Sequence, residues 1–210
     1  MDLSEVIEQI KNDPRNKSYK DRGIDPILQA NKKAKILLIG QAPGRIVEET
    51  GIPFNDKSGE KLRKWMGVDK DTFYSEKIAI VPMDLYYHGK AKKGDMAPRR
   101  FIAKDYHKKI LKTMPDIKLT ILIGAYAQKY YLGKDFKKNL TETVKNYKDY
   151  LPEYFPIVHP SPLTIGWLKK NPWFEEKNIV ELKRIINDIL SWNKTFIKYM
   201  KFWENKENMI

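Results

Sequence analysis

The chain contains no cysteine. That absence excludes a disulfide framework, an iron–sulfur cluster held by thiolates, a cysteine nucleophile and a cysteine zinc site. No apolar run approaches the roughly 18 residues that a membrane span requires, and the N-terminus is charged where a secretory leader is apolar. A cytoplasmic protein without a membrane partner is the expectation. The three histidines lack His-Glu-x-x-His spacing, so neither a metal nor another cofactor is expected. Acidic residues are in deficit: 27 Asp plus Glu stand against 40 Lys plus Arg, a net charge of +13. Such a balance favours a polyanionic partner through counterion release, although solvated, lysine-rich helix faces produce the same arithmetic.

With 210 residues the chain can bury one core and not two. The expected organisation is a monomer with one domain over 1–190. A helical or partly ordered tail over 191–210 mixes Trp192, Phe196, Tyr199, Phe202 and Trp203 with lysines.

Leu3, Val6, Ile7 and Ile10 recur at helical spacing, and Pro14 stops the pattern. Four apolar runs read as strands: 35–40, 78–82, 119–124 and 155–158. Between them, Ser58 reads as the cap of a helix that carries Leu62, Trp65 and Met66 and closes at Gly67. A helical or turn segment is predicted over 141–150, and further helices around 105–114 and 125–132. A long amphipathic one follows Asn171, with Pro172 in its first turn. Strands separated by helices imply a parallel sheet covered on both faces, with ligands bound beyond the carboxyl ends of the strands.

Two strand ends carry unusual text. Gly40-Gln41-Ala42-Pro43-Gly44 follows the first strand, where glycine lets a ligand approach the backbone and proline stiffens the path; a tight turn with no ligand fits equally. His159-Pro160-Ser161-Pro162 follows the last strand, and its prolines restrict the drift of the imidazole. His88 and His107 lack such a setting and read as surface residues. In Gly51-Ile52-Pro53-Phe54 an aromatic ring sits behind a rigid proline, suited either to a core or to stacking on an extruded base. The loop 86–94 interleaves Tyr86, Tyr87 and His88 with lysines, and Arg99 and Arg100 follow; it suits either solvent or a nucleic-acid strand.

In this order, the segments at 40–44, 51–54, 122–125 (Leu-Ile-Gly-Ala) and 159–162 resemble the uracil-DNA glycosylase superfamily over roughly residues 30 to 190. The resemblance implies a three-layer α/β/α fold around a four-stranded parallel sheet. It also implies a DNA glycosylase that hydrolyses the N-glycosidic bond of uracil or another deaminated base and leaves an abasic site. On that pattern Gly40, Ala42, Pro43 and Phe54 hold the base, and His159 meets the charge on the departing base. Gly44, Arg45, Ser161, Leu163, Lys169 and Lys170 contact DNA, with Leu163 to Ile165 wedging into the gap left by the extruded nucleotide. The partner is DNA containing a damaged or deaminated base.

Related first motifs carry an acid at the position of Gln41 or Ala42, and this chain carries none there. Gln41 can orient a water but is a poor base, so Asp56 or Asp84 in neighbouring loops is expected to assist. Met83 and Asp84 stand where an asparagine commonly reads the uracil edge. Without the four cluster cysteines of some branches, the chain resembles a divergent, cluster-free one. Two further readings stay open: a DNA-binding protein that keeps the pocket without the chemistry, and a small-nucleotide site in the same sheet.

Overall fold

Alternation along each strand decides which side of the sheet a residue faces. In β1 (Ile36–Ile39), Ile36 and Leu38 enter one core while Leu37 and Ile39 enter the other. The computed structural model describes residues 2–92 and 94–191, so the predicted aromatic tail from Trp192 onward lies outside the described residues. With β2 (Ile78–Ile80), β3 (Leu119–Ile123) and β4 (Tyr154–Ile157), β1 forms a sheet in the order β2-β1-β3-β4. Every pairing is parallel. Burial on both faces explains why the strands read as continuous apolar runs.

Helices cover both sides. On one, α1 (Leu3–Asn12) buries Val6 and Ile10, and its N-terminus is closed by reciprocal bonds between Asp2 and Glu5. The segment after β1 is α2 (Arg45–Thr50), a short helix that opens at Gly44 and closes at Gly51. On the opposite side, α3 (Lys57–Met66) buries Leu62, Trp65 and Met66, as their spacing predicts. Its cap is Asp56 rather than Ser58: the Asp56 carboxylate accepts the Gly59 N–H at 2.8 Å. Next come α4 (Ala125–Leu132), α5 (Leu140–Lys145), α6 (Ile165–Lys170) and α7 (Ile179–Leu190). Leu182, Ile185 and Ile186 of α7 share the core of α3. The result is the three-layer α/β/α fold. No helix among the described residues is long and apolar enough to cross a membrane.

His107 is not a surface residue. It is buried in the helical stretch 100–111, where Nε2 lies 2.9 Å from the Pro82 carbonyl and Nδ1 lies 2.6 Å from the Tyr131 hydroxyl. A carbonyl can only accept, so Nε2 carries the proton and Nδ1 accepts from Tyr131. Burial pushes its pKa down to about 4, so the ring is neutral near neutral pH. His88 is half-buried, with Nδ1 at 3.4 Å from the Tyr19 hydroxyl.

Candidate functional site

Strand order sets the position of the site. Because β1 lies between β2 and β3, the chain leaving β1 crosses to one side while the chain leaving β3 crosses to the other. A crevice opens where such connections diverge. Here it is a cavity of about 370 Å³. The turn at 40–44, Phe54, His159, Ser161 and Leu163 all line it, so the two distant motifs and the aromatic loop meet.

Phe54 forms a wall of this cavity by an unusual backbone. Its φ is 55°, left-handed for a residue with a bulky side chain, a conformation that costs roughly 1–2 kcal/mol. The surroundings hold it there. The Tyr74 hydroxyl donates to the Pro53 carbonyl at 3.0 Å, and the Phe54 ring meets Phe73 edge-on with centroids 6.4 Å apart. Gly40 gives the ring room, since a Cβ there would sit 3.2 Å from Phe54 Cζ.

His159 leaves β4 beside Gly124, whose added Cβ would lie 3.8 Å from the His159 Cβ. Gly124 has φ 83°, and its N–H donates to the Ile157 carbonyl at 2.9 Å. The imidazole is enclosed by protein yet open toward the cavity, and burial lowers its pKa, opposed by the negative charges of Asp56 and Asp95. Among the described residues it has no side-chain hydrogen-bond partner, so its N–H is available to whatever occupies the cavity. Its carbonyl instead accepts from the Thr164 hydroxyl at 3.0 Å, which helps fix the turn that places Leu163. Leu163 is 76% exposed at the rim, and its Cδ1 approaches Gly94.

Four predicted residues lie elsewhere. Asp84 is fully buried and outside the cavity lining: Arg99 Nε meets Oδ2 at 2.7 Å and Nη2 meets Oδ1 at 2.8 Å. The N–H groups of Arg99 and Tyr86 complete its shell, so a carboxylate expected to serve water chemistry is instead locked in a bidentate ion pair. Arg45 begins α2 outside the lining and pairs with Glu49 at 3.4 Å. Lys169 borders a shallow depression shared with Lys61, Glu175 and Glu176, while Lys170 ends α6, exposed.

Further residues complete the lining, among them Asp56, expected from the sequence as an alternative to Asp84, and Asp95 and Tyr126, which the sequence did not suggest. Asp56 caps α3 and also faces the cavity, and Tyr126 stands half-exposed at its edge in the first turn of α4. Asp95 comes from a hairpin in which Met96 N–H donates to Gly89 O at 2.9 Å and Ala91 N–H to Gly94 O at 3.1 Å. Gln41 lines the cavity, and its Nε2 donates to the Met96 carbonyl at 2.9 Å, which ties this hairpin to the first motif. Among the described residues, no cluster of three His, Asp or Glu side chains is placed to hold a metal ion.

Comparison with known proteins gives two findings. A family model described as the uracil DNA glycosylase superfamily matches residues 28–183. Among solved structures, the chain is similar to the solution NMR structure of a candidate uracil DNA glycosylase from Methanosarcina acetivorans. The identity is 14%, the TM-score is 0.43, and 76% of this chain and 93% of that chain are covered.

Proposed function

Because the chain belongs to the uracil DNA glycosylase superfamily, we propose that it hydrolyses the N-glycosidic bond of uracil or another deaminated base in DNA, leaving an abasic site. The observation that carries this reading is the shared cavity of His159, Phe54 and the 40–44 turn. Its volume of about 370 Å³ suits one nucleobase and its sugar rather than a duplex, so the target nucleotide leaves the stack to enter.

Breaking the bond leaves positive charge on the sugar and negative charge on the base. A preorganised donor that meets the base as this charge develops lowers the barrier. His159 fits that task as a neutral imidazole, since burial depresses its pKa and no protein group consumes its N–H. The Phe54 ring offers a stacking wall whose orientation is fixed before a base arrives. Leu163, at the rim, fits a wedge that fills the space of the extruded nucleotide.

A second reading is DNA binding without hydrolysis, favoured by one observation: the first motif has no acid, and its Gln41 amide is committed to Met96. The two separate in one experiment. Labelled oligonucleotides carrying single deaminated bases are incubated with the protein and then treated with alkali. Hydrolysis gives strand scission at the modified base. Tight, salt-sensitive binding without scission supports the second reading instead.

A further inference from the structure

A glycosylase of this kind needs a group to direct the attacking water, and the first motif offers no acid. Asp84 is excluded by its bond to Arg99, which leaves two carboxylates in the cavity wall, Asp56 and Asp95. They differ in what they already do. Asp56 Oδ1 accepts the Gly59 N–H as the cap of α3. Among the described residues, the Asp95 carboxylate has no hydrogen-bond or ion-pair partner. Its Oδ2 stands against the first motif, 3.7 Å from where a Cβ on Gly44 would lie, and its charge, like that of Asp56, reaches His159.

The hairpin that carries Asp95 is also held in place. The backbones of Lys90 and Asp95 form an antiparallel bridge across it, and the carbonyl of Met96, the next residue, accepts from the Gln41 amide. Gln41 thus occupies the acid's place in the first motif without replacing the acid. It fastens the strand that delivers one from elsewhere.

Resting on the glycosylase reading, we propose that Asp95 is the catalytic carboxylate that orients and deprotonates the attacking water, with Gln41 as its positioning residue. The water oxygen bonds to C1′ of the sugar as the C1′–N bond to the base breaks. The electron pair of that bond leaves with the base, where the His159 N–H meets the developing charge. The water proton passes to the Asp95 carboxylate and then to solvent.

The test measures single-turnover base release by wild type, Asp95→Asn and Asp56→Asn on the deaminated substrate that wild type cuts fastest. Affinity for the abasic product duplex is measured alongside. Asp95→Asn should slow release roughly 10²- to 10⁴-fold while product affinity holds or tightens, because a negative charge leaves the cavity. Asp56→Asn should slow release less than Asp95→Asn does, since asparagine keeps the cap of α3. Formate should restore activity to Asp95→Ala, a result that a structural role would not give. Release by Asp95→Asn within about threefold of wild type, or a larger loss in Asp56→Asn, overturns the assignment and leaves the glycosylase reading standing. A wild type that releases no base from any such DNA overturns that reading and the assignment together.

Discussion

Gly59 and Phe54 compete for one space: a Cβ added to Gly59 would lie 1.7 Å from the Phe54 carbonyl oxygen. The first turn of α3 can approach the left-handed Phe54 backbone only because position 59 has no side chain. Within a helix, Gly→Ala ordinarily gains about 1 kcal/mol. Here the sign should reverse. Gly59→Ala should lower the melting temperature and, by displacing Phe54, reduce base release more than it reduces stability. A variant as stable and active as wild type would show that the Phe54 loop is not held by this contact.

Phe54→Ala separates stacking from general affinity. Losing a base–aromatic stack costs roughly 1–3 kcal/mol, so base release should fall about 5- to 150-fold. Binding to undamaged duplex, which depends on phosphate contacts, should hardly change. Equal losses in both assays would count against a base wall at Phe54.

Asp84 should govern stability. Removing one partner of a buried pair leaves an uncompensated charge, a cost of about 3–5 kcal/mol. Asp84→Ala should therefore show a large drop in denaturant midpoint, and so should Arg99→Ala, whose guanidinium also lies 4.9 Å from the Tyr19 ring centroid. The double variant should cost much less than the two single losses added together. Additive losses would mean that the pair is not coupled.

His107 predicts an acid-side stability loss. The folded protein holds its pKa down to about 4, whereas the unfolded chain titrates near 6.5. Below pH 6.5 the unfolded state takes up the proton first, so stability is full above that value and falls until about pH 4. The total is about 3 kcal/mol. His107→Gln should flatten the melting-temperature slope across this window; an unchanged slope would assign acid sensitivity to other groups.

Much of the scaffold was legible because burial on both sheet faces leaves apolar runs, and Gly67 and Gly133 close helices where the sequence places them. That the 40–44 turn and His159 share one cavity was foreseeable because both follow parallel strands at their carboxyl ends, where crevices open. Asp84 was misread because nothing local reveals that Arg99 folds back onto it. His107 could have been recognised as buried: Ala103, Tyr106 and Ile110 bracket it at helical spacing. Asp95 was hidden by its neighbours, since the lysines around it made the loop read as cationic. Gly89 and Gly94, both at positive φ, were the trace of the hairpin that carries it.

In the proposed reaction the His159 N–H stabilises the negative charge on the departing base. The decisive measurement is the free base released from a deaminated oligonucleotide, quantified by mass spectrometry under single turnover for wild type and His159→Ala. Release by wild type with a loss of roughly 10²- to 10³-fold in the variant, at unchanged duplex affinity, is the result predicted. Equal release rates in the two proteins would contradict it.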